Sequence, residues 1–148
     1  MGDLHPTAAR VQQRLREHGL DVTARELPGS TRTAADAAAA CGCELGQIVK
    51  SLVFVEEATG EVVMCLWAGD RQVPAEDLGL RRASADEVRE ATGFAVGGVP
   101  PLGHDRALAT IVDESLHRYE RVWCAAGTPS AVFEVPVADL VRAVPVRR

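Results

Sequence analysis

Lys50 is the one lysine among sixteen lysine and arginine residues. Arginine presents a broad planar fork, whereas lysine carries a compact ammonium on a slim stem with three rotatable donors. A chain that writes nearly every cation as arginine yet keeps one lysine points to a place where the fork does not serve. The Ala and Arg excess also reads as coding bias, which accounts for part of that oddity. Lys50 lies within the apolar run Ile48-Val49-Lys50-Ser51-Leu52-Val53-Phe54-Val55, where a charge must snorkel, pair or act. Three roles stay open for it: a snorkelling strand residue, a structural ion-pair partner, or a cation in a cleft. Ser51 beside it could hydrogen-bond a substrate. Neighbouring strand residues point to opposite faces, however, so a regular strand is expected to deliver only one of the two to a pocket. A bulge would be needed to deliver both.

The second feature is the loop Val96-Gly97-Gly98-Val99-Pro100-Pro101-Leu102-Gly103-His104. Its prolines fix backbone angles and its glycines let a ligand approach the main chain. Such a loop can aim backbone N–H groups at a carbonyl oxygen or a developing oxyanion. By spacing alone, a plain crossover turn is the simpler reading. No Gly-Lys-Ser/Thr follows, which excludes a phosphate-binding loop of that type. The segment also follows a helical pattern rather than opening one after a strand, which excludes the dinucleotide fingerprint.

Other chemistry-bearing residues do not assemble. His104, with Asp105 beside it, could serve as a general base, but no Ser or Cys nucleophile is tied to it by a Gly-x-Ser-x-Gly motif. Solvated or capping roles suit it and His5, His18 and His117 better. Cys41 and Cys43 form a C-x-C pair that raises the question of zinc. A structural site, however, ordinarily shows two spaced pairs or a Cys/His set, and Cys65 and Cys124 sit singly in strand-like segments. Buried free thiols are the expectation for all four cysteines, and no metal ligand set is assigned. Glu56-Glu57 belongs to a turn, and Asp86-Glu87 to a helix start where the macrodipole favours it.

The elements that must position these residues follow from periodicity. A helix is expected from Pro6, with Ala8, Val11 and Leu15 on its apolar face and Gly19 as its stop. Residues 20–27 alternate like a strand, and Pro28-Gly29-Ser30 turns the chain. Thr33 to Ala40 reads as an Ala-rich helix closed by Gly42. Gln47–Glu56 and Glu61–Ala68, joined by Glu57-Ala58-Thr59-Gly60, read as a central hairpin. Arg71–Leu78 reads as a short helix and Leu80–Ala83 as a short strand. Ser84 to Glu87 has capping-box spacing, and Gly93 ends the helix it opens. Strands are expected at Ala107–Val112, Arg121–Ala125 and Ser130–Val135. A helical turn at Glu114–Tyr119 and a closing helix at Val137–Ala143 complete the chain. Without strict βαβ alternation, the fold class is α+β with a mixed sheet.

The 148 residues suit one domain, residues 1–148. A net charge of −5 excludes a polybasic nucleic-acid arm, so any RNA contact must use local groups such as Arg71, Arg81-Arg82 or Arg147-Arg148. These arginines read equally as ordinary solvated surface. No stretch is long and apolar enough for a membrane span, and the N-terminus lacks signal-peptide character. A cytoplasmic location is therefore expected.

Four segments in order resemble the YbaK/prolyl-tRNA-synthetase-associated domain family of aminoacyl-tRNA deacylases. They are Ser30 to Ala38, Gln47 to Phe54, Ala91 to Gly103, and Ala126-Gly127 through Asp139-Leu140. The resemblance implies a mixed, mostly antiparallel, barrel-like sheet with helices packed around it. It implies hydrolysis of the ester joining a wrong, small amino acid (alanine, cysteine or serine) to the 3′-terminal ribose of proline tRNA or a related tRNA. It implies no cofactor and no metal. Lys50 matches the family's strand lysine, and Gly97 and Pro101 match its Gly-x-x-x-Pro loop; these three are the catalytic positions so implied. Ser51, Gly98, Val99 and Gly127 are the implied substrate-binding positions. Lys50 would hold the phosphate or ribose of the terminal adenosine, and backbone groups of Gly97–Pro101 would hold the carbonyl. The expected partner is the 3′ end of an aminoacyl-tRNA, with a synthetase as a further candidate. This chain has Ser51 where the family commonly has Thr. It also carries Gly127-Thr128-Pro129-Ser130 where better-known members have a basic turn. A non-catalytic module that binds aminoacyl-tRNA or a synthetase is the competing reading.

Overall fold

The computed structural model describes residues 4–28 and 33–147. Helix α1 (Pro6–Glu17) begins at the expected proline, with the His5 ring accepting the Thr7 N–H as a cap. It buries Ala8, Val11 and Leu15, and the chain leaves through Gly19. The alternating segment that follows does turn Leu20, Val22, Ala24 and Leu27 inward. Only Arg25–Glu26 pairs as a strand, β1. Upstream of it, α1 side chains replace a neighbouring strand: Gln12 accepts the Ala24 N–H, and Arg16 donates to the Val22 carbonyl. The expected turn at Pro28-Gly29-Ser30 falls largely outside the described residues.

Helix α2 (Ala34–Cys41) is capped by the Thr33 hydroxyl, which accepts the Asp36 N–H, and closed by Gly42 in the left-handed region. The hairpin of β2 (Val49–Glu56) and β3 (Val62–Ala68) runs in unbroken antiparallel register from Val49↔Ala68 to Val55↔Val62. β4 (Leu80–Arg82) adds antiparallel to the far end of β2, and β5 (Ala109–Val112) adds parallel to β3, giving the order β4-β2-β3-β5. Between β4 and β5, helix α3 (Ala85–Thr92) opens with the expected reciprocal capping box of Ser84 and Glu87. A second sheet, β1-β7-β6, is built on the hairpin of β6 (Arg121–Ala125) and β7 (Ala131–Pro136). Helix α4 (Val137–Ala143) follows directly.

Two expectations change. The α+β class and the predominance of antiparallel pairs hold, but the strands form two sheets and neither closes into a barrel. β6 reaches β2 only as an isolated parallel bridge, Ile48↔Trp123. β3 fills one edge of β2, and β4 occupies only the far end of the other, so the edge between β4 and the Ile48↔Trp123 bridge stays unpaired. Residues 71–74 are irregular and 75–79 form a turn, so 71–78 is not a helix. Pro74, which lacks an N–H, interrupts any helical ladder there, and Leu80 N–H returns to the Ala75 carbonyl.

The main core joins α1, α3 and α4 to the inward faces of both sheets, with Leu15, Met64, Leu66, Phe133 and Leu140 fully buried. A smaller cluster of Leu27, Ala38, Ile48, Trp123 and Val132 packs under α2. A third, with Phe54, Val63, Cys65 and Trp67, covers the opposite face of the hairpin.

Candidate functional site

A cavity of about 330 Å³ opens where the two sheets approach each other. Its wall takes in every residue from Ile48 to Val53. Side chains alternate across a strand, so six consecutive residues can line one cavity only if it meets the strand along its edge. That edge is open because its two neighbours stop short. β4 pairs as far as Phe54↔Arg82, with one further bond from Ala83 N–H to the Val53 carbonyl. β6 touches at Ile48↔Trp123. Arg82 and Ala83 therefore line one side of the gap, and Trp123 to Ala125 the other.

The alternation expected of a regular strand holds, with Lys50 and Ser51 on opposite faces, yet both residues line the cavity because it meets the strand at its edge. The β2–β3 register has no bulge, and both residues line the cavity. The phase of the backbone follows from neighbouring bonds. Ala83 N–H donates to the Val53 carbonyl and Glu57 N–H to the Gly79 carbonyl. Odd-numbered residues of β2 thus turn their peptide groups toward β4, and Ser51 falls in that phase within the gap. Its side chain shares a face with Val49 and Val53, which belong to the main core. Among the described residues, the buried Ser51 Oγ has no hydrogen-bond partner.

Lys50 projects from the other face and is half-buried. Its Nζ donates to the Arg71 carbonyl. Burial holds its ammonium below the ordinary lysine range; Asp70 opposes that shift, while Arg82 adds to it. Asp70 is itself committed to Arg118, whose two Nη atoms lie 2.7 and 3.1 Å from its carboxylate oxygens. Of the other arginines noted in the sequence, Arg81 is bound to Glu87 and Arg147 to Glu56. Arg71 lies 4.0 Å from Asp70, and Arg148 falls outside the described residues. Arg82 lies on the cavity wall, over the Phe54 ring at 5.9 Å, and has no acidic partner among the described residues.

Val96, Gly97 and Val99 bring the Gly/Pro loop to the cavity. Gly98 N–H is engaged by the Ala95 carbonyl at 3.1 Å. The amides of Gly97 and Val99 have no partner among the described residues, so they are the ones left for a ligand oxygen. Gly97 has φ +95°, a region that suits glycine. Gly98 lets the loop press against the turn after β6: a Cβ there would stand 2.8 Å from the Gly127 carbonyl oxygen. Gly127, at φ +97°, is in turn crowded by Val11 and Thr7 of α1. His104 pins the far side. Since a carbonyl only accepts, its Nε2–H must donate to Pro100 O, at 2.7 Å. Arg14 donates to Gly103 O and pairs with Asp105. Burial pushes the His104 pKa down, against the raising effect of the Pro100 bond. This is a loop clamp rather than a base aimed into the cavity.

Of the residues singled out in the sequence, Lys50, Ser51, Gly97 and Val99 therefore converge on one cavity. Gly98, Pro101 and Gly127 lie outside its wall. Pro101 is buried within the loop, and Gly127 opens toward a neighbouring hollow that shares Pro129. Arg82, named in the sequence as a possible RNA contact, is also on the wall, whereas Thr33, Ala34 and Ala37 at the start of α2, Trp123 and Ala125 are wall residues with no chemical signature in the sequence. The Ala-rich face of α2 was the available clue, since small side chains allow close approach. Cys41 and Cys43 pack beside the cluster under α2, and burial raises both thiols, Cys43 to about 11. No group of three potential His, Cys, Asp or Glu metal ligands occurs among the described residues. Among these residues, no helix is long and apolar enough to cross a membrane.

Comparison with known proteins gives this cavity a context. A solved structure of a candidate trans-editing enzyme for prolyl tRNA synthetase superposes with a TM-score of 0.90 at 45% identity, covering 98% of this chain and 96% of that one. The uncharacterized protein YwhH of Bacillus subtilis (strain 168) is 33% identical over 126 residues, 81% of this chain and 78% of its own length. A proline–tRNA ligase of Lactobacillus gasseri is 36% identical over 77 residues, which is 47% of this chain but 13% of the ligase. The aminoacyl-tRNA editing domain matches residues 29–143, more than three quarters of the chain and the entire cavity wall, and the protein belongs to that family.

Proposed function

We propose that the domain hydrolyses the ester of mischarged aminoacyl-tRNA in trans, removing a small amino acid such as alanine, cysteine or serine from proline tRNA or a related tRNA. The observation that carries this reading is the cavity on the open edge of β2, with two cations and a glycine loop in its wall. Lys50 and Arg82 suit the phosphate and ribose of the terminal adenosine. The apolar interior suits a small acyl group. The amides of Gly97 and Val99 suit the ester carbonyl, whose oxygen gains negative charge as water adds.

In the reaction, the water oxygen bonds to the carbonyl carbon and the bond from that carbon to the ribose oxygen breaks. The proton lost by water ends on the ribose oxygen. The products are a free amino acid and tRNA with a free terminal hydroxyl. An aminoacyl ester is already activated, so fixing its pose and stabilising the oxyanion supply much of the acceleration without a nucleophilic side chain. Lys50, whose Nζ donates to the Arg71 carbonyl, is assigned the role of a cation that holds the substrate rather than that of a base. The test is loss of radiolabelled amino acid from a panel of mischarged tRNAs. Cleavage of at least one small-residue ester, strongly reduced in Lys50→Ala, is expected. Saturable tRNA binding with no cleavage at high protein concentration would replace this reading with a non-catalytic module.

A further inference from the structure

We infer that Arg118 is a positioning residue for Lys50: by occupying both oxygens of Asp70, it keeps that carboxylate from pairing with the lysine, whose ammonium stays available to an anionic ligand. The shielding stands on geometry, and its consequence for catalysis rests on the deacylase reading. Lys50 Nζ donates to the Arg71 carbonyl and has no carboxylate partner among the described residues. Asp70 directly precedes that carbonyl and acts electrostatically on Lys50. Its oxygens nevertheless face Arg118, with Nη2 2.7 Å from Oδ1 and Nη1 3.1 Å from Oδ2. This two-pronged bond holds the Asp70 carboxyl below the usual carboxylate range. Arg118 is itself held for the task. It ends the helical turn Glu114–Arg118, its Nε–H donates back to the Ser115 carbonyl at 2.8 Å, and its guanidinium lies over the Tyr119 ring at 5.0 Å. The chain before Asp70 is fixed as well, since a Cβ on Gly69 would stand 2.5 Å from the Leu45 carbonyl oxygen and 3.0 Å from that of Ile48.

A carbonyl and a carboxylate hold an ammonium differently. A hydrogen bond between two charged groups is about twice as strong as a neutral one. A lysine resting on a carbonyl passes to a phosphate at small cost, whereas one paired with a carboxylate must first break an ion pair. Arg71 is the rival claimant for a freed Asp70, with its Nε 4.0 Å from Oδ1. The decisive measurement must therefore observe Lys50 itself.

Lys50 is the one lysine of the chain, so protein carrying a carbon-13 label at lysine Cε gives a single lysine signal by NMR, and its titration reads that ammonium directly. In Arg118→Met, which keeps an apolar stem without the charge, the Lys50 pKa is expected to rise, because a freed carboxylate favours the charged form. Adding Asp70→Asn is expected to return it to the wild-type value or below. In deacylation, Arg118→Met is expected to raise KM about 5-fold with kcat little changed, and the double variant to recover. Asp70→Asn alone is expected to stay within about 2-fold of wild type, and Arg118→Met to cost nothing further in a Lys50→Ala background. A lysine signal that does not move in Arg118→Met, or a shift that survives Asp70→Asn, overturns the inference. So does a KM rise that persists in the double variant or in Lys50→Ala, which would make Arg118 a fold staple or a direct RNA contact. If the wild-type protein cleaves no small-residue ester, the deacylase reading fails, while the lysine titration still decides whether Arg118 shields Lys50.

Discussion

At the scale of single residues, Lys50 and Ser51 adjoin on β2 and both line the cavity, with their side chains on opposite faces of the strand. Replacing Lys50 by alanine is expected to lower kcat/KM for deacylation by about 100-fold, the usual cost of removing one directed donor at a developing or fixed anion. Lys50→Arg keeps the charge but must fit a planar fork beneath the Arg71 carbonyl. It is expected to recover only part of the activity in the same assay, whereas full recovery would show that any cation serves. Ser51→Ala, which deletes a buried, unpartnered hydroxyl, is expected to leave the fold as stable or up to about 1 kcal/mol more stable in urea denaturation. Lys50 was legible in the sequence because its type is unique and its surroundings apolar. The joint presence of Ser51 was not, because alternation forbids two neighbours in one pocket except where the strand has an open edge. Openness depends on where β4 and β6 stop, which is decided by tertiary pairing rather than by the run of residues itself.

At the scale of elements, the Gly/Pro loop is positioned by contacts that a larger side chain or a charged ring would disturb. Gly98→Ala would place a Cβ 2.8 Å from the Gly127 carbonyl oxygen and 2.9 Å from Thr128 Cα. Backbone, unlike a flexible side chain, has nowhere to retreat. A destabilisation of about 1–3 kcal/mol in thermal or urea unfolding is expected, with loss of deacylation beyond what that stability change explains. The His104 clamp has a pH signature. Burial lowers its folded pKa below the ordinary 6.5, so between those two values the unfolded chain binds a proton that the folded chain does not. Stability therefore falls as pH drops below about 6.5 and levels off below the folded pKa. His104→Gln, which can still donate to Pro100 O but does not titrate, is expected to flatten that part of a melting-temperature profile. An unchanged slope would contradict the assignment. Most elements were readable: caps, αL glycines and the β2–β3 turn are local signals, and α4 begins and ends at the expected residues. The segment at residues 71–78 was misread because its composition tolerates a helix until the missing Pro74 N–H is counted. Residues 20–27 were misread in part because alternation reports burial, not the presence of a neighbouring strand.

At the scale of the whole molecule, two sheets that nearly join leave a gap, and the gap holds the cavity proposed as the site. The barrel expected from the family resemblance would have sealed the same edge of β2 that the cavity uses. Closure depends on which edges meet, and period-2 patterning is silent about that. Net charge matters here too. At −5 overall, with Lys50 and Arg82 as the two cations on the cavity wall, the protein should grip the end of the tRNA and not its body. Two phosphate contacts predict a slope of about −1.4 for log affinity against log salt concentration with a single-stranded end. A slope several times steeper would require a second, extensive RNA surface. The most direct test of the central claim is single-turnover deacylation of proline tRNA charged with alanine, cysteine or serine, compared between the wild-type domain, Lys50→Ala and buffer alone. The account predicts ester cleavage well above buffer for at least one of these substrates, with Lys50→Ala slower by about 100-fold. Wild-type rates at the buffer level for all three, or a Lys50→Ala variant as fast as the native protein, would contradict it.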